Sequence, residues 1–358
     1  MKGARAAVIG GGLAGLCAAL ELEKQGRDVR VLEAADELGG QIKTVTHAGC
    51  TIELGAEGFV SRSDVLPALA KRVGIEHELR GQTQTRSLGF RAGELRELAP
   101  GEAAAFLGFQ VSKNDLGLGI RTFAPGMGAL ITALSRALAA NVELHTGWQA
   151  ASLARTARGY VIKSAEGASF EANELVIATS ARHASKLCAG LFGAPALALA
   201  QARVVSSVTV SLAYPREAIA HPLDATGFVV ASEDQQHGAR ACAFVSSKFA
   251  DRAPADTALL RVFFRPTDTD LRMTSDATYT QWAGELITRV LGVTTPPQHS
   301  WVSRWRDALP MFDDAHRQHV QDLETALAGS GIALAGSAFH GAGIDAAVRS
   351  ALNVQQRL

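Results

Sequence analysis

The hydrophobic pattern at the start of the chain is that of a strand, a helix and a second strand in close succession. Ala6 to Ile9 form a short apolar run, which is typical of a buried parallel strand. A helix-like stretch follows from about Leu13 to Gln25, and Gly26 is a plausible stop for it. The run DVRVLE then predicts a second strand that ends in Glu33.

Further along the chain, two kinds of strand are interleaved with helices. Apolar runs at 175–178 and 332–337 indicate short buried strands, whereas the runs at 204–214 and 258–264 alternate and are rich in β-branched residues. The other predicted elements are helices at 65–72, 126–140, 277–291 and 318–328, a hairpin at 85–98 turning at Ala92-Gly93, strands between 142 and 179, and a closing helix from about Ile344. Residues 100–122 are poorly patterned.

This order of elements predicts an α/β protein with two lobes, since a chain of 358 residues can bury a large core. Nucleotide-binding pieces lie at both ends of the chain and in its middle. We expect a discontinuous Rossmann-like cofactor-binding domain of residues 1–60, 123–195 and 326–358. Residues 61–122 and 196–325 are expected to form an inserted α+β substrate domain on a mixed or antiparallel sheet.

The glycines after the first strand indicate the ligand. Gly10, Gly12 and Gly15 have the spacing G-x-G-x-x-G, which permits a tight turn, a close approach to a pyrophosphate and close packing of helix on strand. The helix that follows offers free N–H groups and a positive dipole end to the phosphates. Glu33 lies where a carboxylate can accept hydrogen bonds from ribose hydroxyls. This unit does not separate FAD from NAD, and Glu33 argues only against the 2′-phosphate of NADP.

Composition narrows the function further. Lys plus Arg number 35 and so do Asp plus Glu, so no basic face for nucleic acid is implied. The uncharged run from Ala6 to Leu20 is too short to span a bilayer, and we expect a cytoplasmic protein without membrane insertion. The four cysteines and ten histidines show no metal-ligand spacing, so no metal site is expected. Composition says nothing about the oligomeric state.

Several longer stretches carry a family likeness. GGGLAGLCAA, LEAADELGGQIKT, GAEGFVSR, SSKFADRAP, LLRVFF, WRDALPMFDDAH and LAGSAFHGAGIDAAVRSA follow each other in the order found in FAD-dependent amine-oxidase superfamily flavoproteins. Within that superfamily the chain most resembles the protoporphyrinogen/coproporphyrinogen oxidases. The resemblance favours FAD over NAD as the cofactor. No Cys or His is placed for a flavin linkage, so we expect FAD to be held noncovalently.

The resemblance also implies which residues bind the cofactor. The expected set is Gly10, Gly12, Leu13, Ala14, Gly15, Glu33, Gly39, Gly40, Gln41, Lys43, Gly55, Ala56, Glu57, Trp148, Gly336, Ser337, Gly343, Ile344 and Asp345. Lys43 could instead be a solvated surface lysine, and Trp148 a packed core residue.

The same resemblance implies a substrate pocket. Its expected residues are Phe59, Arg62, Arg86, Phe339 and His340, of which Arg86 and His340 are the candidate catalytic residues. Arg86 aligns with an arginine near substrate carboxylates, but it could be a surface strand charge. His340 could be a general base because its ordinary pKa is near 6.5, or it could only form a structural hydrogen bond.

Two departures from the family put the porphyrinogen substrate in doubt. The family has a long, mostly helical segment between the hairpin and the 126–140 helix, where this chain has only about residues 99–122. Ser337 and His340 also replace an Asn and an Arg of the last motif. We therefore expect an oxidase that takes hydride from a smaller cyclic, nitrogen-containing molecule and passes the electrons to O2, releasing H2O2. The alternatives are a porphyrinogen oxidase proper, a dehydrogenase with another acceptor, and a flavin-holding protein without turnover.

Overall fold

The computed structural model describes residues 4–106, 118–138 and 141–358. Much of the poorly patterned segment, residues 107–117, and the predicted end of the 126–140 helix therefore lie outside the described residues. The strands in chain order are β1 (Arg5–Ile9), β2 (Asp28–Leu32), β3 (Thr44–His47), β4 (Cys50–Glu53), β5 (Phe59–Val60), β6 (Leu79–Gly81), β7 (Leu88–Arg91), β8 (Glu94–Glu97), β9 (Ile120–Phe123), β10 (Val142–His145), β11 (Ala150–Thr156), β12 (Gly159–Ser164), β13 (Ser169–Ala172), β14 (Glu174–Ile177), β15 (Val204–Pro215), β16 (Gly227–Val230), β17 (Ala239–Phe244), β18 (Thr257–Phe264), β19 (His299–Pro310) and β20 (Ile332–Leu334).

The helices lie mostly where the sequence predicts them. They are α1 (Leu13–Lys24), α2 (Val65–Arg72), α3 (Glu102–Phe106), α4 (Gly128–Ala137), α5 (Ala181–Ala198), α6 (Val245–Lys248), α7 (Asp268–Met273), α8 (Asp276–Leu291), α9 (Asp314–Leu327) and α10 (Ile344–Leu352). Helix α5 is interrupted at Gly193, where φ is 54°. Helix α9 begins four residues before the predicted start, because the Asp313 side chain accepts a hydrogen bond from the His316 N–H and caps it.

A five-stranded parallel sheet organises the first lobe, in the order β10-β2-β1-β14-β20. Val8 lies at its centre, opposite Val31 on one side and Val176 on the other. Helices α1, α2, α4 and α10 pack on one face of this sheet. The antiparallel sheet β11-β12-β13, with α5 and α9, covers the other face. Both faces are thus covered, which explains why the strands β1, β14 and β20 are short apolar runs without alternation. Strand β2 and the edge strand β10 keep polar, less buried positions.

A seven-stranded mixed sheet organises the second lobe, in the order β19-β15-β18-β17-β16-β7-β8. Only the pair β16–β7 is parallel in this sheet. Helix α8 packs on one face, where its Tyr279 joins Val210 and Val262 in the core. The predicted hairpin is present as β7 and β8, and Ala92 and Gly93 both have positive φ, as a type I′ turn requires.

Some elements do not follow the expected division of the chain, since the sheet β5-β9-β6 combines strands from both expected domains. Helix α2 belongs to residues 61–122 of the expected substrate domain, yet Leu66 and Leu69 pack in the core of the first lobe beside α1 and α10. The domain boundaries themselves stay a prediction. A small core around Cys50, Ile52 and Leu259 joins β4 to the seven-stranded sheet.

Gly15 is the position where the first helix lies closest to the turn that precedes it. A Cβ atom added there would lie 1.8 Å from the Gly10 carbonyl oxygen. We expect Gly15→Ala to destabilise the protein by about 1–3 kcal/mol, because backbone would have to move apart. Thermal unfolding of the cofactor-free protein measures this loss.

Gly190→Ala is the matched control, since Gly190 lies inside α5 and an added Cβ would meet nothing within 4 Å. Alanine should be neutral there or should stabilise by up to about 1 kcal/mol through helix propensity. Equal unfolding temperatures for the two variants would contradict the close approach inferred at Gly15.

Candidate cofactor and active site

Two glycine turns meet at the carboxyl ends of β1 and β2. Gly12 and Gly39 form an isolated parallel bridge, and the Gly39 N–H donates to the Gly11 carbonyl at 2.9 Å. Gly12 is the N-cap of α1 and offers no side-chain cap to the first N–H groups. A Cβ atom added at Gly12 would contact the Gly40 Cα at 3.7 Å, so the two glycine turns lie side by side at this helix end. The arrangement fits a pyrophosphate, which those N–H groups can bind.

Glu33 follows β2 directly and faces the first glycine turn. Its Oε2 accepts from the Gly11 N–H at 2.6 Å, and its Oε1 accepts from the Ala35 N–H at 2.8 Å. Each carboxylate oxygen keeps acceptor capacity for a ribose hydroxyl. The Trp148 N–H donates to the Glu33 carbonyl at 2.7 Å, while the Trp148 ring packs on Phe170 at 5.3 Å. Trp148 is thus packed and also adjacent to Glu33, so the two alternatives for it are compatible.

The residues after the second turn make contacts with other parts of the chain. The Gln41 side-chain amide donates to the Ala308 carbonyl at 2.7 Å, across to β19. The Lys43 Nζ lies 2.7 Å from Glu37 Oε2, and both side chains are exposed. This exposed pair is what a surface lysine would form, and the cofactor role of Lys43 stays a prediction.

The C-terminal segment returns to the first turn. The Gly336 N–H donates to Ser350 Oγ at 2.7 Å, and a Cβ atom at Gly336 would lie 3.3 Å from the Ala14 Cβ. Gly343 caps the start of α10 at Ile344, with open space around it. The positive end of α10 is thereby available to an electron-rich edge of a ligand. Ser337 lies between these two points and is half-buried.

Asp345, in the first turn of α10, is bound by the protein itself. Its Oδ1 accepts from Ser63 Oγ at 2.5 Å, and its other oxygen contacts Arg349. Asp345 is only 7% exposed. Its contacts therefore anchor α10 to the start of α2.

The five predicted pocket residues do not form one cluster of free side chains. Phe59 packs on Phe123 in the core of the first lobe, and Phe339 is buried in the core under α9. Arg62 is exposed. Their substrate roles stay predictions.

The two candidate catalytic side chains both have acidic partners. The Arg86 Nε lies 3.0 Å from Glu97 and its Nη1 lies 2.5 Å from Asp224, with 44% of the side chain exposed. The His340 Nε2 lies 2.8 Å from Glu324 Oε1 on α9, and this hydrogen bond holds the pKa of Glu324 below its usual value. These contacts are compatible with a surface ion pair for Arg86 and a structural hydrogen bond for His340. Either side chain would have to leave its acidic partner before it could contact a substrate.

Sequence reasoning missed a buried group of charges where the two lobes meet. Arg252 and Glu53 form an ion pair at 3.2 Å with each side chain 1% exposed. Lys248 and Glu57 form another at 3.0 Å, with 9% and 11% exposure. Arg261 donates to the Gly55 carbonyl at 2.7 Å. One signal was present, since an arginine inside the apolar strand LLRVFF must be paired when it is buried.

The pKa values of the two buried carboxyl groups are shifted in opposite net directions. Desolvation raises the pKa of Glu53 above its usual value, although Thr44 donates to it and Arg252 lies beside it. Desolvation also opposes ionisation of Glu57, but Lys248 and Arg261 outweigh it and hold the pKa of Glu57 below its usual value. Glu57 is therefore a stable buried carboxylate.

The chain matches one protein family over nearly its whole length. The family is described as flavin containing amine oxidoreductase, and residues 13–112 and 90–358 match it. The cofactor prediction of FAD is thereby confirmed.

Coproporphyrinogen III oxidases are similar along the entire chain. The one from Mycobacterium tuberculosis is 26% identical and the alignment covers 96% of this chain and 95% of the relative. The one from Bacillus subtilis is 24% identical, with 94% of each chain covered. Since 96% of 358 residues is about 344, roughly 90 of the 435 aligned positions in the first comparison have no residue from this chain.

Solved structures confirm the predicted fold class. A protein from Exiguobacterium sp. 255-15 assigned as a protoporphyrinogen oxidase superposes with a TM-score of 0.85 at 21% identity, covering 99% of this chain and 98% of that one. Cyclohexylamine oxidase from Brevibacterium oxydans superposes with a TM-score of 0.76 at 15% identity, covering 99% and 98%. These likenesses show the fold alone.

Neither a membrane-spanning helix nor a metal-binding cluster is present among the described residues. No helix in the ranges 4–106, 118–138 and 141–358 is long and apolar enough to cross a membrane. Within the same part of the chain, no group of three or more His, Cys, Asp or Glu side chains is placed to hold a metal ion.

We expect Glu33→Ala to weaken FAD binding about ten- to a hundredfold. The change removes the acceptor for ribose hydroxyls and also leaves the Gly11 and Ala35 N–H groups unpaired. Loss of a hydrogen bond to a charged group costs roughly 1.5–3 kcal/mol. Titration of the apoprotein with FAD, followed by flavin fluorescence, measures the change.

Glu37→Ala provides the comparison, because Glu37 is an exposed acid of the same loop whose partner is Lys43. It should change FAD affinity by no more than a few-fold. Unchanged affinity in Glu33→Ala would show that Glu33 does not bind the ribose.

We also expect FAD to leave the protein when the fold is lost. All four cysteines are buried in the structure, and burial raises the pKa of Cys188 to about 12, which keeps it a neutral thiol. Acid or heat precipitation should release FAD into the supernatant. Yellow colour that stays with the pellet would indicate a covalent linkage.

Proposed function

The chain belongs to the flavin containing amine oxidoreductases, and we propose that it is a porphyrinogen oxidase that acts on coproporphyrinogen or a close relative. It is an FAD-dependent oxidase of the protoporphyrinogen-oxidase-like kind. The main support for the substrate is the similarity to coproporphyrinogen III oxidases, which extends over 96% of this chain and 95% of the relative. Similarity of that extent includes both lobes, and so it includes the substrate side as well as the cofactor side.

The proposed reaction removes hydrogen from a ring that gains conjugation. Bound FAD supplies the acceptor for the hydride. In each two-electron step, a carbon of the substrate loses a hydride, a ring nitrogen loses a proton, and a new double bond forms between ring atoms. O2 takes up the two electrons and two protons and leaves as H2O2. The cytoplasm remains the expected compartment for this reaction.

The protein contributes orientation and exclusion of water. A porphyrinogen carries acidic side chains, and the exposed cation Arg86 is the predicted partner for one of them. Arg86 would exchange Glu97 or Asp224 for a substrate carboxylate, which costs little because these ion pairs are exposed. Holding the reacting carbon close to the flavin lowers the entropy cost of the hydride transfer.

A smaller cyclic, nitrogen-containing substrate is the second candidate. The observation that favours it is the shortness of this chain, since roughly 90 of 435 positions aligned with the mycobacterial relative have no counterpart here. A pocket that encloses a large flat ligand needs walls on both faces. If the absent positions formed such a wall in relatives, a smaller substrate would fit this chain better.

Anaerobic mixing separates these candidates. We expect coproporphyrinogen III to bleach the yellow absorbance of the holoenzyme at micromolar concentration, and air to restore the absorbance with formation of H2O2. Bleaching by small cyclic amines instead would favour the second candidate. Bleaching without reoxidation by O2 would indicate a dehydrogenase, and no bleaching by any of them would indicate a flavin-holding protein.

Arg86→Gln tests the proposed carboxylate contact. We expect KM for the porphyrinogen to rise about tenfold, since loss of one charged hydrogen bond costs about 1.5 kcal/mol, while kcat changes little. Arg91→Gln is the matched control, because Arg91 is also an exposed cation near β7 and pairs with Glu233. Equal KM values for the two variants would remove Arg86 from the substrate site.

A further inference from the structure

Side chains from several elements hold the segment 54–59 that follows β4. Trp305 Nε1 donates to the Leu54 carbonyl at 2.7 Å. Arg261 Nη2 donates to the Gly55 carbonyl at 2.7 Å, and Thr122 Oγ1 donates to the Glu57 carbonyl at 3.0 Å. The family resemblance predicts that Gly55, Ala56 and Glu57 lie against the cofactor. The position of this segment is therefore set by residues distant in sequence.

The charges around this segment do not balance. Lys248, Arg252 and Arg261 come from the second lobe, and within the described residues the carboxyl groups beside them are those of Glu53 and Glu57. Glu53 and Arg252 form one pair, and Lys248 and Glu57 form the other, which leaves Arg261 bound to uncharged groups, the Gly55 carbonyl and Thr209 Oγ1. The group carries a net charge of at least +1 whatever the protonation of Glu53.

Burial makes this excess charge effective over several ångströms. Arg261 and Lys248 are both buried, so water screens their charges weakly. Fixed positive charge in such surroundings stabilises negative charge that develops nearby. Reduced flavin gathers negative charge at its N1–C2=O edge.

We propose that Lys248 and Arg261 set the reduction potential of the bound flavin, by placing net positive charge behind the segment 54–59. They are positioning residues, because they act through that segment. Glu57 has the opposite effect, since it cancels part of the same charge. The inference depends on bound FAD and is independent of the substrate.

The test is the equilibrium constant for flavin reduction, measured in the holoenzyme against a reference dye. Lys248→Met should make the flavin harder to reduce, and Glu57→Gln should make it easier to reduce. We expect each shift to be roughly tenfold, about 30 mV for a two-electron couple. Shifts of opposite sign in the two variants would distinguish an electrostatic effect from a structural one. A structural disturbance has no reason to depend on whether a positive or a negative charge was removed.

Two further variants serve as controls. Lys248→Arg keeps the charge and should leave the equilibrium constant within about twofold. Arg203→Gln removes a cation that is 69% exposed and paired with Asp313 at 3.7 Å, so screening should abolish its effect. Shifts of equal sign in Lys248→Met and Glu57→Gln, or no shift in either, would overturn the proposal. If Lys248→Met or Glu57→Gln fails to retain FAD, Arg261→Met is compared with Lys248→Arg. Arg261→Met should make the flavin harder to reduce than Lys248→Arg does, and an equal or opposite shift would overturn the proposal.

Discussion

The buried charges between β4 and the second lobe are the constraint on which the arrangement of the two lobes depends. Arg252 and Glu53 are both 1% exposed, so each needs the other. Replacing such a pair by apolar residues is often neutral or stabilising, whereas removing one partner is strongly destabilising. The pair therefore contributes little net stability, but it disfavours any arrangement of the lobes in which one partner stays buried alone. The cofactor crevice requires such a defined arrangement, because segments of both lobes meet there.

The crevice itself is assembled from three parts of the chain that only the fold brings together. The turn after β1 meets the turn of Gly39 and Gly40 through the Gly12 bridge. The C-terminal segment returns beside α1 because β20 adds to the edge of the parallel sheet next to β14. Gln41 and Trp305 then link this side to the second lobe through hydrogen bonds at 2.7 Å. These two hydrogen bonds attach the chain that follows the second glycine turn to strand β19 of the second lobe.

Local sequence patterns predicted many of the helices and strands, but not all of them and not always their ends. Strands β1 and β14, helices α1 and α2, and the turn at Ala92 and Gly93 follow from apolar runs and turn chemistry within a few residues. The start of α9 was misplaced because its cap, Asp313, precedes the apolar periodicity. Capping, and not the hydrophobic pattern, decides where such an end lies. Whole elements were also missed, since helix α5 and strand β19 lie where the sequence analysis predicted none.

The candidate site shows the limit of sequence reasoning more clearly. Lys248 and Glu57 are separated by 191 residues, and no local pattern specifies which acid a buried lysine will meet. Arg86 and His340 were chosen for their chemistry and their place in family motifs, but Glu97, Asp224 and Glu324 bind them in the structure. The fold decides which charged side chains form ion pairs with each other. A prediction from residue type alone therefore assigns too many charged side chains to the substrate.

The cofactor side and the substrate side of this protein are determined by different kinds of interaction. The predicted contacts to FAD are largely backbone groups at glycine turns and helix ends, which the fold supplies wherever its first and last segments are intact. A substrate is recognised by side chains and by the walls around them, and these can change while the fold remains, as the cyclohexylamine oxidase with a TM-score of 0.76 illustrates. For this reason the full-length similarity to coproporphyrinogen III oxidases supports the porphyrinogen more strongly than any fold likeness does. The same reasoning gives weight to the absent positions, because a wall can be lost without disturbing the glycine turns.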